Sequence, residues 1–449
     1  MRKLNHNLTE GNIYNSLLLF SIPFVIANLI QALYGTVDLV VVGLFTDTQG
    51  ISSVAIGTQV MQIVNGLIIG FTMGGTILIG QYYGANKKED TQEVIGTMFT
   101  LGLIISLFIM IFMWVITNPL LNILRTPDEA FIDARKYVTI ASSGIVFIFG
   151  YNAISAILRG LGDSKRPVLF IGIACVFNIL LDFLFVGYLG MRASGAALAT
   201  ILSQGISMVL AIVYLKKNNL LSYLKLNNFA INKEKMKKLF KIGFPLSLQE
   251  VLLWMSFLFI AAIANSMGVA ESAAVGIIAK FETFSMLPPM AFSNALAALV
   301  AQNVGANKLE RAKKALYISI FISLACSLLF FLWAQISPQS IIGLFQGDED
   351  VKIAGSKYFK SYSFDYILVS IKFNLNGFLN GCGSTTFTMI NGIASSLLVR
   401  IPVAYILSIY LSKGLIGLGV AAPIASIISI IASTIYIRMG KWKKHKLED

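Results

Sequence analysis

The sequence predicts an all-α integral membrane protein, with twelve transmembrane helices in two six-helix bundles related by a parallel pseudo-twofold repeat. Composition gives the first reason. Of the 449 residues, 56% are hydrophobic and only 13% are charged, too few charges to cover a soluble surface of this size. Distribution gives the second. Apolar residues fall in long runs such as Ser16 to Phe45, Ile51 to Tyr83 and Val94 to Thr117, and about 20 apolar residues in a helix cross the hydrocarbon core of a bilayer. The third is internal: short patterns recur between the two halves at a nearly constant spacing.

Read in order, the spans are expected at 15–40, 51–82, 93–117, 134–158, 167–190, 194–215, 241–266, 272–301, 313–335, 356–380, 386–411 and 415–437. The first is longer than a signal-peptide core, lacks a small-residue cleavage site and contains Asp38, so it reads as a retained helix. Cys175, Cys326 and Cys382 are scattered within apolar segments, a set that fits small packing residues and neither a disulfide framework nor a metal site. The only histidines, His6 and His445, lie in the polar tails, which leaves no histidine for chemistry inside the membrane. No cofactor is expected.

The net charge of +13 has a location. With the N-terminus placed in the cytoplasm, 24 basic residues fall on the inner side, eight of them between Lys216 and Lys241, and 8 fall outside. Basic residues stay on the side from which helices insert. The charge therefore reads as an orientation signal, with both termini cytoplasmic, and nucleic acid is not an expected partner. Membrane lipids are, at basic turns such as Arg159, Lys165 and Arg166.

The lysine-rich stretch near the middle divides the chain into an N-terminal bundle (1–215), a cytoplasmic linker (216–240) and a C-terminal bundle with a basic tail (241–449). Gly80-Gln-Tyr-Tyr-Gly-Ala-Asn-Lys-Lys-Glu echoes Ala301-Gln-Asn-Val-Gly-Ala-Asn-Lys-Leu-Glu at an offset of 221, and Leu158-Arg-Gly-Leu-Gly echoes Leu379-Asn-Gly-Cys-Gly at the same offset. Gly195-Ala-Ala-Leu-Ala resembles Gly419-Val-Ala-Ala-Pro, and Pro23 has its partner in Pro245. An even number of spans per half gives both copies one orientation. Such a repeat places a cavity between halves that rock to expose it to either side.

These segments, together with Gly35-Thr-Val-Asp-Leu-Val-Val-Val-Gly, Leu158-Arg-Gly-Leu-Gly-Asp-Ser, Asn178-Ile-Leu-Leu-Asp-Phe-Leu-Phe, Gly243-Phe-Pro, Lys280-Phe-Glu-Thr-Phe and Gln302-Asn-Val-Gly-Ala, resemble the multidrug and toxic compound extrusion (MATE) family over essentially the whole chain. The resemblance implies a twelve-helix, two-bundle antiporter of the bacterial plasma (inner) membrane that expels cationic amphipathic compounds using a sodium or proton gradient; a monomer is expected. In family members the positions matching Asp38 and Asp182 form the coupling-ion site.

A charge at mid-membrane is expensive, by about 2.5–3.5 kcal/mol even on the gentler insertion scales. The spans nonetheless contain Asp38, Asp182, Glu250, Glu282 and Asp365, against Lys280, Lys372 and Arg400. Asn178 precedes Asp182 by four residues, so both share a helix face, and Thr200 adds a hydroxyl from the next span. Asp38, Asn178, Asp182 and Thr200 together offer hard oxygens suited to Na+. The alternative is two adjoining buried acids that hold one proton near neutral pH. Pro23 bends the helix of Asp38, and the resemblance suggests that the bend responds to protonation. Glu250, Glu282 and Asp365 are the candidates for substrate or a secondary ion, and pairing with Lys372 or Arg400 is the bland reading of Glu250 and Asp365. For Lys280 and Glu282, structural ion pairing is the better reading.

No Gly-x-x-x-x-Gly-Lys-Ser/Thr phosphate loop occurs, so energy must come from a gradient, and no nucleophile–base constellation points to an enzyme. The main rival is a flippase for lipid-linked saccharides of the same architecture. Its cavity needs several basic residues, whereas acids in these spans outnumber bases five to three. A non-transporting scaffold or receptor has no need of acids in both halves.

Overall fold

The computed structural model describes residues 7–218, 230–345 and 348–445. His6 and the central part of the expected linker lie outside the described residues. In the first half the helices are α1 (Ile13–Phe45), α2 (Thr48–Gly84), α3 (Lys88–Ile123), α4 (Asp128–Ser143), α5 (Ile145–Gly160), α6 (Lys165–Asp182) and α7 (Arg192–Lys217). The second half continues with α8 (Lys233–Asn265), α9 (Val269–Ser285), α10 (Leu287–Gly305), α11 (Leu309–Ile336), a short α12 (Pro338–Gly343), α13 (Glu349–Tyr362), α14 (Phe364–Gly381), α15 (Thr385–Ile393), α16 (Ile401–Tyr405) and α17 (Gly414–Arg438). All the long elements among the described residues are helices, as a bilayer demands, because lipid offers no partner for an open backbone group.

Ten of these helical stretches are long and apolar enough to cross a membrane, and α4 with α5 makes an eleventh, bent by 45° at Gly144. The remaining expected span, 356–380, falls on α13 and α14, which meet at Ser363; α13 carries Lys357 and Lys360, and these make it more polar than the other spans. The break between α9 and α10 at Met286 is followed by Pro288 and Pro289, residues that start a helix but cannot continue one. Wider π-helical turns follow Asp182 (Phe183–Tyr188) and end at Arg400 (Ala394–Arg400). Such turns frequently mark functional positions in helices, and here each adjoins an ionisable side chain.

The sequence offset of 221 is also a geometric one. Asn86 and Asn307 end equivalent helices in the left-handed region, at φ 58° and 59°, which Asn tolerates better than other residues with a β-carbon. The next amides close the same turn, Lys87 N on Tyr82 O at 3.0 Å and Lys308 N on Asn303 O at 2.7 Å. A β-carbon at Gly160 would sit 2.9 Å from the Thr76 carbonyl oxygen, and one at Gly381 only 2.5 Å from that of Ala297. In each copy a glycine therefore lets two helices approach backbone to backbone, as membrane helices do where hydrophobic attraction between them is weak.

The chain forms two compact units. The first comprises Ile26–Ser247; the second comprises Asn7–Val25 and the described residues from Leu248 onward. Two helices thus change unit midway. The leading half of α1 packs in the second unit, where Leu17, Phe20 and Phe24 join Leu299, Phe378 and Trp442 in one buried cluster. The leading half of α8 packs in the first unit, where β-carbons at Gly70 and Gly74 of α2 would lie 2.3 Å and 2.6 Å from the backbone of Ser247 and Gly243. Another cluster of the first unit, Ala27, Tyr151, Leu158, Phe170 and Leu215, lies where α1, α5, α6 and α7 meet.

Candidate functional site

In the first unit the structure brings Asp38, Asn178, Asp182 and Thr200 together from α1, α6 and α7. Asp38 is 5% exposed, and Asn178 and Asp182 are fully buried. The Thr200 hydroxyl lies 3.1 Å from Asp38 Oδ2 and 2.9 Å from the carbonyl of Ala196, and its single proton serves either acceptor. Asp182 and Asn178 are close enough to interact with the Asp38 carboxyl. Asp38 Oδ1, both oxygens of Asp182 and both amide atoms of Asn178 nevertheless have no hydrogen-bond partner, and no ion pair reaches either acid among the described residues. Buried polar atoms are normally satisfied. The four oxygens among them, in one place, make a ligand set for something small, either a hard cation or a proton shared between two carboxyls. Carboxylate, amide and hydroxyl oxygens fit Na+ equally well in kind.

Tyr137 of α4 adjoins this group, and no pattern in the sequence marks it. It is 4% exposed, its hydroxyl lies 3.2 Å from Thr58 Oγ1, and it stands in the field of Asp38 and Asp182. Gly57 makes room for it: a β-carbon there would meet the Tyr137 ring at 2.2 Å.

The second unit is arranged differently. Glu282 of α9, 6% exposed, accepts a hydrogen bond from the Tyr362 hydroxyl and lies in the field of Arg400. Arg400, 8% exposed, stacks over the Phe257 ring at 4.9 Å. Asp365, Lys372, Ser396, Arg400 and Ser426 line a cavity of about 30 Å³, room for a water or two, and an adjoining cavity of similar size carries Gln249, Lys372 and Asn376. Two acids here face two bases. Asp365 therefore shares its surroundings with both Lys372 and Arg400, while Glu282 has Arg400 and a tyrosine. Lys280 is exposed. Glu250 is half-buried and lines neither cavity, and it has no hydrogen bond or ion pair among the described residues.

Duplicated bundles of membrane helices, with breaks and unsatisfied oxygens buried inside them, define a multi-pass membrane transporter. The chain belongs to the MatE family, whose model matches residues 23–184 and again 245–406, once in each half. Among its relatives is the probable multidrug resistance protein YpnP of Bacillus subtilis, 28% identical over 98% of both chains. Another is the probable multidrug resistance protein NorM of Thermotoga maritima, 25% identical over 96% of this chain and 94% of the relative. Among solved structures, the outward-facing conformation of a multidrug resistance MATE family transporter superposes with a TM-score of 0.90 at 23% identity, covering 97% of this chain and 98% of that one. MATE in a bent conformation matches at 0.91 and 24%, with complete coverage of both. These likenesses establish the fold, all-helical and membrane-spanning.

Proposed function

We propose that the protein exports lipophilic organic cations by alternating access, in exchange for Na+ or H+ held by Asp38, Asn178, Asp182 and Thr200. The observation that supports this reading is the pair of buried acids in the first unit, with three unpartnered carboxylate oxygens and no ion pair to a base among the described residues. Two carboxylates placed in low dielectric without a counter-charge are costly, and a cation or a proton relieves that cost. A positively charged guest competes for the same negative field. One species leaves as the other arrives, and both termini face the cytoplasm of a bacterial cell.

The relatives named as multidrug resistance proteins support export of drugs as the task. In the second unit Glu250, Glu282 and Asp365 remain the candidates for substrate contact. Glu282 and Asp365 are already balanced by Arg400 and Lys372, so Glu250 is the acid there with charge to offer. The flippase reading draws on Lys372 and Arg400, and both of these face acids of their own unit.

Reconstituted vesicles loaded with a fluorescent cation test the proposal under imposed sodium or proton gradients. Efflux of the wild type follows one gradient, and Asp38→Asn and Asp182→Asn abolish that dependence. Efflux indifferent to both gradients, or unchanged in the two variants, rejects the antiport.

A further inference from the structure

The helix that carries Asp38 is fastened at its other end to the second unit. Six hydrogen bonds do this, and every one of them ends on the main chain of the segment before α1. Leu8 N donates to Gln302 Oε1 at 3.3 Å, and Asn303 Nδ2 donates to Leu8 O at 3.1 Å. Lys308 Nζ donates to Thr9 O at 2.9 Å. Arg311 spreads its guanidinium over three carbonyls, with Nε on Leu8 O at 3.3 Å, Nη1 on Gly11 O at 2.7 Å and Nη2 on Glu10 O at 2.6 Å. Gln302, Asn303 and the Leu8 side chain are all fully buried, and Asn12 caps the helix that follows, its Oδ1 accepting from Tyr14 N at 2.9 Å.

The first unit holds the leading half of α8 in an equivalent place by other means. Asn232 caps α8 as Asn12 caps α1, accepting from Glu234 N at 2.9 Å, and its Nδ2 reaches Glu93 Oε2 at 2.9 Å. Lys235 is 4% exposed, pairs with Asp90 and lies 3.1 Å from the Tyr82 hydroxyl. In the second unit the leader before α1 docks on the Gln-x-x-Gly-Ala-Asn-Lys turn itself, through Gln302 and Lys308, whereas in the first unit the start of α8 is held by Tyr82 of that turn and by Asp90 and Glu93 of α3. α8 carries Glu250, but α1 carries the acid of the ion site.

We propose that Gln302, Asn303, Lys308 and Arg311 are positioning residues for ion-coupled transport. They clamp the entry end of α1 to the second unit, so that a change of occupancy at Asp38 is delivered along one helix to the half of the transporter that does not bind the ion. The inference rests on the exchange mechanism of the preceding section. Side chains that grip carbonyls hold the leader whatever its sequence, and a fork of three donors also fixes its direction, which a single ammonium cannot do.

Arg311→Lys and Arg311→Gln separate this role from simple charge. Both lose the fork, but only the glutamine loses the positive charge that orients the helix in the membrane. Lys308→Met, which removes one bond at the rim, serves as a milder companion should either Arg311 variant fold poorly. The measurements are ion half-saturation of the purified protein, gradient-driven efflux of a fluorescent cation, and gradient-independent exchange of the same cation. Expected is a drop of about tenfold or more in driven efflux for both Arg311 variants, a smaller drop for Lys308→Met, and unchanged ion half-saturation and passive exchange in all three. Wild-type driven efflux in Arg311→Lys overturns the clamp, and so does an ion half-saturation that shifts together with efflux. A wild type that follows neither gradient removes the exchange mechanism itself and this inference with it, an outcome distinct from loss of the clamp alone.

Discussion

Thr200 and Asp38, 162 positions apart, meet at 3.1 Å through hydroxyl and carboxylate, and the rest of the proposed ion site surrounds that contact. A hydrogen bond to a charged group contributes about 1.5–3 kcal/mol. Thr200→Val removes both the donor and an oxygen that a cation can use. Ion half-saturation is expected to rise by about tenfold or more, with the fold retained, and equilibrium binding of the ion to purified protein checks it. An unchanged half-saturation places Thr200 outside the site.

Arg400 serves Glu282 and Asp365 together, so its removal leaves two buried acids short of a counter-charge. Breaking a buried pair from one side costs about 3–5 kcal/mol. Arg400→Ala is therefore expected to lower the unfolding temperature in detergent far more than Glu282→Gln, which keeps an oxygen to accept from Tyr362 and gives up its charge. Equal losses in the two variants contradict the charge balance described for this unit.

Gly57 lies flat under Tyr137, and even a methyl group there collides with the ring. Overpacking of this kind costs about 1–3 kcal/mol. Gly57→Ala is expected to displace Tyr137 and weaken ion binding, while Gly35→Ala, where a β-carbon meets nothing within 4 Å, leaves it unchanged. Parallel ion titrations of the two variants decide the matter.

Asp47, in the turn between α1 and α2, receives the amide of Gly50 at 3.0 Å and the Arg192 guanidinium. First the amide and then Arg192 hold its carboxyl below the usual carboxylate range. A depressed folded value means that its contribution to stability is present above the unfolded value, about 3.9, and is lost as pH falls through the folded one. The group is exposed, so the effect is small. Asp47→Asn is expected to leave the pH profile of transport near neutrality unchanged, to lower the unfolding temperature slightly at neutral pH, and to converge with the wild type in acid, where the carboxylate contribution is already lost. A neutral-pH shift in the variant's transport profile refutes this assignment.

The spans and the repeat were legible because they depend on local pattern. Long apolar runs report helices, and the recurrence of Gly-Ala-Asn-Lys at 86 and 307 reports an identical turn. Asn178 and Asp182 could be paired because four residues bring side chains to one helix face. Tyr137 could not, since one of 16 tyrosines carries no mark of its long-range neighbours. Lys280 was expected to pair with an acid and stands exposed instead, because helix rotation decides which of two nearby positions faces inward. The exchange of leading halves was invisible for the same physical reason. Pro23 and Pro245 show that α1 and α8 are special, but a proline does not say which bundle the residues before it join.

That exchange bears on how the polypeptide survives damage. A single nick between Asn218 and Ala230 leaves two fragments, each of which still has a helix seated in the core of the other, so severing the chain does not free them. Produced alone, either fragment lacks a segment that its bundle packs around, Asn7–Val25 in one case and the leading half of α8 in the other, and exposes the surface meant for it, one prone to aggregation. Synthesis of both segments in one chain thus matters for assembly, and the covalent connection becomes redundant once folding is complete.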